Sequence, residues 1–166
     1  MEYEKLNALF DVLGEETRVY EKILQLSKEK KDIVIEGKVS ELEEITKNEQ
    51  TLVVKLGKLE ILRESCVEEI AEQLNIKPSE LTISKLSEHL NEENAKKLIE
   101  CKNKLEDVLK ELKEINQLNS KLIKNSLDYI DFSLNILSAA SETNNNYNNS
   151  GEVNDGNKKT FMDIKL

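Results

Sequence analysis

The side chains that most often carry out chemistry in proteins are scarce in this sequence of 166 residues. His89 is the only histidine, and the two cysteines, Cys66 and Cys101, lie far apart in the chain. A di-iron site in a helical bundle needs a Glu-x-x-His pair from each of two helices, which one histidine cannot supply. The two cysteines and His89 lack the ligand spacing of a zinc site. We therefore expect no metal site and no cofactor.

Neighbouring carboxylates are the other candidates for chemistry, because a pair can act as general acid and base. Such pairs occur at Glu15–Glu16, Glu43–Glu44 and Glu68–Glu69. The helical pattern places these pairs on solvated faces. No glycine-rich loop follows a predicted strand, so no phosphate cradle is expected either. The sequence thus predicts no catalytic residue, no small-molecule substrate and no enzyme.

The strongest pattern is apolar and covers residues 116–137. On a helix, its apolar side chains cover roughly 200° of the circumference, whereas a surface helix needs a stripe of about 100°. Either a second helix of the same chain covers the remainder, or a partner does. The residues of this arc that are candidates for binding a partner are Leu118, Leu122, Ile123, Leu127, Tyr129, Ile130, Phe132, Leu134, Ile136 and Leu137.

Two asparagines stand at the start of this surface. Asn119 occupies the apolar seam, and Asn116 lies near its edge. A polar residue on such a seam usually fixes the register of packed helices at some cost in stability. Alternatively, both side chains hydrogen-bond the backbone of a partner or hold a bend in the helix.

Composition and charge define the class of protein. Hydrophobic residues make up 38%, charged residues 34% and aromatic residues 4%, with one proline, which is typical of long amphipathic helices. A net charge of −9 argues against a nucleic-acid partner, which requires a basic face. No apolar run reaches the length of a membrane span, and no secretory signal is visible. We expect a cytoplasmic protein whose cysteines are small core residues.

The spacing of apolar residues predicts an all-α fold, namely an elongated antiparallel helical bundle or coiled coil of three long helices and one short helix. We predict helices over Glu2 to about Glu36, Ser40 to Leu74, Thr82 to Leu90, and Asn91 to about Ser141.

The helix boundaries rest on glycine and capping signals. Across Gly37 the apolar seam slips by one residue, which a tight reversal or a stutter in one continuous helix would each produce; we favour the reversal. Ser40 with Glu43 resembles a capping box, and Asn91 before two glutamates resembles an N-cap.

The last part of the chain differs in composition. Residues 1–141 are predicted to form the helical domain, and residues 142–166 a flexible tail, because the Asn- and Gly-rich run has too little apolar surface to offset the entropy of ordering. The tail still contains Tyr147 and four apolar residues near position 166, which are Phe161, Met162, Ile164 and Leu166. These four are either incidental or a short motif that folds onto a partner.

Three groups of residues match a known family. The first is the run N-x-x-N-x-x-L-I-x-x-S-L-x-Y-I from Asn116 to Ile130. The second lies in the tail, where Tyr147 stands four residues before Gly151 and the chain continues to Asp163, Ile164 and Lys165. The third lies in the N-terminal half, at Glu16, Tyr20, Leu24, Leu26, Lys30, Lys31, Glu41, Leu42, Ile45 and Glu49. Over nearly its whole length the chain resembles the FlgN-like flagellar export chaperones.

The resemblance implies a cytoplasmic chaperone of the flagellar type III secretion system. Such chaperones hold hook-associated junction proteins before export, and their C-terminal region binds the helical ends of these clients. In this sequence that region maps onto Leu118 through Leu137. The family also implies contact with the export gate through a tail tyrosine, for which Tyr147 is the match. The segment between Tyr147 and the last residues is longer than usual, so the resemblance assigns no role to Phe161–Leu166.

A structural protein is the alternative to a chaperone. A coiled-coil dimer or tether would bury the extra apolar arc against a second copy of itself. A monomer that forms a 1:1 complex with a junction protein would support the chaperone, and a tight dimer that ignores such clients would support the tether.

Overall fold

The structure is a computed structural model that describes the backbone of residues 3–144 and the side chains of residues 4–140. Within these residues it is all-α, as predicted. Three helices are long, namely α1 (Tyr3–Glu36), α2 (Val39–Gln73) and α4 (Glu92–Asn144), and one is short, α3 (Ile83–Glu88). Residues 142–144, predicted to belong to the tail, are the last residues of α4. The rest of the predicted tail, with Tyr147, lies outside the described residues. The chain divides into two compact units, residues 1–124 and residues 125–166, which are described separately below.

A tight turn at Gly37 joins α1 to α2. Gly37 has φ +68, in the left-handed region that glycine enters without steric cost. Its N–H donates to the Val34 carbonyl at 3.2 Å, and the Lys38 N–H donates to the Ile33 carbonyl at 3.1 Å. This pair of bonds is the Schellman pattern of a helix end. The predicted reversal is therefore confirmed over the stutter.

The predicted capping box at Ser40 and Glu43 is wrong. Helix α2 begins at Val39, its N-cap is Lys38, and no side chain caps it. The Schellman turn ends at Lys38, whose carbonyl already accepts from the Leu42 N–H at 3.0 Å. Ser40 therefore lies inside the first turn of α2, where it cannot act as an N-cap.

Helices α1 and α2 pack antiparallel. Near one end, Lys5 pairs with Glu69. Towards the other end, Ser27 hydrogen-bonds Glu49 at 3.3 Å. Residue numbers thus rise along α1 as they fall along α2, as expected for a helical hairpin with a tight turn.

The first part of α4 runs parallel to α1 and therefore antiparallel to α2. Lys104 pairs with Glu21 at 2.9 Å, and Lys28 pairs with Glu111 at 2.6 Å. Residue numbers therefore rise in the same direction along α1 and α4. Residues 1–124 thus form an up-down-up bundle in which each long helix reverses the direction of the one before it.

Between α2 and α4, local turn and capping residues end one helix and start the next. Asn75 has φ 54, and Pro78–Glu80 forms a single 3₁₀ turn. The Thr82 side chain accepts from the Lys85 N–H at 3.2 Å and caps α3. Asn91 Oδ1 accepts from the Asn94 N–H at 2.9 Å. The predicted N-cap of α4 at Asn91 is therefore confirmed.

Two apolar clusters hold the bundle of residues 1–124 together. The first combines α1, α2, α3 and the start of α4, through Leu6, Leu9, Phe10, Leu13, Ile70, Leu86 and Leu98. The second joins α1, α2 and α4 further along the bundle, through Val19, Ile23, Leu24, Leu59 and Leu112. Short helix α3 contributes only to the first cluster, where Leu86 is buried.

We predict that Gly37→Ala destabilises the protein by about 1–2 kcal/mol, because an L-residue in the left-handed region is strained by that amount. Urea unfolding followed by circular dichroism measures the change.

Gly57→Ala is the matched control. Gly57 lies inside α2, and a Cβ added there meets nothing within 4 Å, so alanine should stabilise the helix by about 0.5–1 kcal/mol. Equal effects of the two substitutions would contradict the role assigned to the turn at Gly37.

Candidate partner-binding surface

The residues that could carry chemistry are dispersed. His89 Nδ1 lies 2.8 Å from the Lys85 carbonyl of the preceding turn, which is a local helix contact. Among the residues that the structure describes, no group of three or more His, Cys, Asp or Glu side chains could hold a metal ion. Cys66 and Cys101 are free thiols that pack, partly buried, against the first apolar cluster. Burial raises the pKa of the Cys66 thiol, which makes it a poor nucleophile.

The predicted solvated position of Glu16 is wrong. Glu16 is 6% exposed rather than on a solvated face, and it accepts a hydrogen bond from Arg63 Nε at 3.2 Å. Burial raises the pKa of Glu16, although the Arg63 guanidinium acts in the opposite direction. Its neighbour Glu15 pairs instead with Lys55. The two carboxylates face different partners, so they do not form an acid–base pair.

The predicted seam asparagines contact α1. Asn119 is 3% exposed, and its Nδ2 donates to the Ser27 carbonyl at 2.7 Å. Asn116 Oδ1 accepts from Ser27 Oγ at 3.2 Å. Ser27, which is fully buried, also lies against Glu49 of α2. A single serine therefore links all three long helices through polar contacts.

An ion pair closes this polar cluster. Lys30 of α1 pairs with Glu49 of α2, and their side chains are 15% and 16% exposed. Asn119 Oδ1 is the one buried side-chain polar atom without a hydrogen-bond partner among the described residues. Leaving such an atom unpaired costs about 1–3 kcal/mol. The asparagines stand out in the sequence because they interrupt an apolar seam. Ser27 does not stand out, because a serine in the middle of a charged helix gives no signal of its own.

The predicted client-binding residues differ in exposure. Within the first unit, Leu122 and Ile123 are half-buried and Leu118 is 42% exposed. Within the second unit, all seven predicted residues are exposed, from 46% for Leu134 to 71% for Tyr129. The remaining five are Leu127, Ile130, Phe132, Ile136 and Leu137.

The seven exposed residues of the second unit form two stripes on α4. Leu127, Ile130, Leu134 and Leu137 follow spacings of three and four, and we name them the leucine stripe. Tyr129, Phe132 and Ile136 follow the same spacings on a neighbouring face, and we name them the aromatic stripe.

Polar residues separate the two stripes. At about 100° per residue, Ser126 and Ser133 lie between them on one side. Ser133 Oγ donates to the Tyr129 carbonyl of its own helix at 2.9 Å. Asp128, Asp131 and Asn135 lie between the stripes on the other side. Over residues 125–140 the two aspartates are the only charged side chains. The two apolar stripes are therefore bordered by acidic side chains on one side and by serines on the other.

A second exposed apolar patch lies on α2 and was not singled out from the sequence. Val53, Val54 and Ile61 are 57%, 62% and 67% exposed. They surround Gly57, and at about 100° per residue Val54 and Ile61 lie on the side of α2 opposite the buried Ile45, Leu59 and Ile70. Their positions off the apolar seam are the signal that could have identified them.

Helices long and apolar enough to cross a membrane do not occur in the described part of the chain. A family model described as FlgN protein matches residues 1–155. The chain belongs to the FlgN family. The expected resemblance is thereby confirmed, and FlgN membership makes the chain, in general terms, a flagellar export chaperone that binds flagellar proteins. Neither the curated proteins nor the solved structures contain a match.

Membership in the FlgN family agrees with the geometry of the surface. A chaperone family needs a face for another protein, and the end of α4 exposes seven large apolar side chains. The matched range includes Tyr147, which lies outside the described residues.

We predict that Asn119→Leu leaves stability unchanged or raises it by about 1–2 kcal/mol. The substitution removes an unpaired buried oxygen and adds apolar volume to the seam, which outweighs one hydrogen bond to Ser27. Urea unfolding measures the stability.

Ser27→Val serves as the comparison, because it removes the hydroxyl that contacts Asn116 and Glu49 and keeps the orphaned oxygen of Asn119. It should destabilise the bundle. If Asn119→Leu lowers stability by more than about 2 kcal/mol, the bond to Ser27 matters more than the unpaired oxygen.

Proposed function

We propose that this FlgN-family protein is a cytoplasmic chaperone that binds hook-associated junction proteins through the end of α4 and delivers them to the flagellar type III export gate. The observation that supports the proposal most directly is the set of seven large apolar side chains exposed between Leu127 and Leu137. Monomeric proteins rarely expose apolar surface of this extent without an interaction partner.

The shape of the surface favours a helical client. The leucine stripe spans eleven residues, or about 16 Å along the helix axis, and presents anchors at i, i+3, i+7 and i+10. An amphipathic helix that lays its apolar face against such a row is a common mode of peptide recognition. The helical ends of junction proteins, which the family resemblance implies as clients, have this form.

The size of the surface suits a transient complex. Full burial of a leucine-sized side chain contributes about 1.5–3 kcal/mol. Four such anchors could give micromolar affinity once the cost of association is subtracted. A chaperone that must release its client at the export gate needs an affinity in this range rather than an irreversible complex.

Delivery to the gate is proposed to use Tyr147. It lies three residues beyond the last residue of α4, Asn144, within the range matched by the family model. An aromatic side chain offers a large apolar surface with one polar atom and is a frequent anchor at protein interfaces. In this proposal client binding and gate contact use different residues and can be separated by mutation.

The first test uses Leu127→Ala with Leu134→Ala. Both residues are exposed, at 56% and 46%, so the double variant should change unfolding free energy by less than about 1 kcal/mol. It should lose about 2–4 kcal/mol of binding to the C-terminal helical fragment of a junction protein, or roughly 30- to 1,000-fold in Kd. Isothermal titration calorimetry gives the affinity and urea unfolding gives the stability.

Val54→Ala with Ile61→Ala is the matched control, since this pair removes similar apolar surface at similar exposure from α2. It should leave client affinity unchanged. Equal client affinity for both double variants and the unchanged protein would overturn the proposed site. Tight self-association that the leucine variant abolishes, without any client binding, would favour the coiled-coil dimer or tether.

The second test concerns the gate. Tyr147→Ala is expected to reduce secretion of the junction protein while its binding to the purified chaperone stays intact, because Tyr147 lies outside the proposed client surface. Asn149→Ala is the control and should leave secretion unchanged. Loss of client binding in the Tyr147 variant would contradict the separation of the two roles.

A further inference from the structure

The exposed apolar face at the end of α4 is wider than one client helix covers. A helix packed against the leucine stripe buries a stripe of about 100°, whereas the leucine and aromatic stripes together extend well beyond that width. Tyr129, Phe132 and Ile136 remain exposed at 71%, 61% and 52% and would not be covered by such a client. The aromatic stripe therefore needs a different occupant.

We propose that residues 158–166 of the same chain bind the aromatic stripe and leave the leucine stripe open. The segment has the sequence KKTFMDIKL, and its apolar residues are Phe161, Met162, Ile164 and Leu166. The proposal goes beyond client and gate binding, and it gives a role to a segment that those functions leave unused.

The chain between the two sites is long enough. Residues 145–160 separate Asn144 from Phe161, and sixteen residues can span at most about 55 Å. Tyr129 lies fifteen residues before Asn144, which corresponds to about 22 Å along the helix axis. The segment can therefore reach the whole aromatic stripe.

The charges of the two partners are complementary. Residues 158–166 contain three lysines and one aspartate, whereas residues 125–140 contain two aspartates and no basic residue. On the helix, Asp128 lies about 40° from Phe132, at the edge of the aromatic stripe. Lysines on either side of the apolar residues can pair with this acidic border while the apolar side chains cover the stripe.

The area of the stripe favours a tethered occupant over a second copy. Its three side chains expose roughly 400 Å² at about 200 Å² for each full side chain. A stable dimer needs about 800 Å² from each partner. A tethered segment needs less, because a short linker provides an effective concentration in the millimolar range.

The test places a fluorescent reporter on the stripe. The chain has no tryptophan, so Phe132→Trp introduces a single indole that reports whether the aromatic stripe is covered. In the full chain we expect blue-shifted emission and weak quenching by acrylamide. Adding Phe161→Ser with Ile164→Ser should shift the emission to the red and increase quenching. Adding Thr160→Ser instead is the control and should change neither.

Three further measurements complete the experiment. Free peptide 158–166 should restore the blue shift of the Phe161/Ile164 variant at about millimolar concentration, because it lacks the tether. Lys158→Glu with Lys159→Glu should increase quenching, and salt should reduce that effect. A Leu134→Trp reporter on the leucine stripe should not respond to the segment variants. Circular dichroism confirms that every variant is folded.

Some results would overturn the proposal. Identical emission with and without Phe161 and Ile164 would show that the segment does not cover the stripe. A blue shift that fades on dilution would show a second copy as the occupant. A response of the Leu134→Trp reporter alone would place the segment on the wrong stripe. None of these results depends on client binding, so the proposal can fail while the proposed function stands.

Discussion

The bundle of residues 1–124 depends on the polar contacts of one buried serine. Apolar seams of leucine and isoleucine can slide past one another with little change in buried area, so they specify register weakly. Ser27 removes this freedom because its carbonyl accepts from Asn119 and its hydroxyl lies within hydrogen-bond distance of Asn116 and Glu49. A shift of α4 by one turn would separate the buried Asn119 from Ser27, and a buried polar group without a hydrogen-bond partner is costly.

The same contact gives the Asn-x-x-Asn element a structural meaning. Asn116 and Asn119 lie three residues apart and therefore on one face of α4, and both contact Ser27 of α1. The bond of Asn119 lies inside the bundle and that of Asn116 at its edge, and the seven exposed apolar side chains of α4 come after both asparagines. The element thus defines the register of α4 within the bundle, and register determines which face of the helix is buried there.

Much of the fold could be predicted because it depends on local spacing. The four helices, the reversal at Gly37 and the N-cap at Asn91 all follow from residues within one or two helical turns. One error is local, because α2 begins at Val39 and leaves Ser40 inside its first turn. The other errors concern contacts between distant residues. Glu16 was placed in solvent because a local pattern cannot show Arg63, which is 47 residues away. Ser27 was missed because its partner Asn119 is 92 residues away. The width of the apolar arc of α4 is a local property and can be read from the sequence. Whether another helix of the chain covers the arc is not local, so the exposure of residues 127–137 could not be predicted.

The continuity of α4 explains how an exposed apolar face can be helical before any partner binds. An isolated short helix is marginal in water because its first turn is costly to form. Helix α4 runs without interruption from Glu92 to Asn144, and its earlier residues are held by Leu98, Leu112 and Asn119 in the bundle. Residues 125–144 therefore extend an existing helix and need no new nucleus. Their apolar side chains can remain exposed in a defined arrangement, so a client that binds this face does not have to offset the entropy of folding it. A face that is already helical can bind a partner through few contacts, because no binding energy is used to fold it. A complex held by few contacts can dissociate readily.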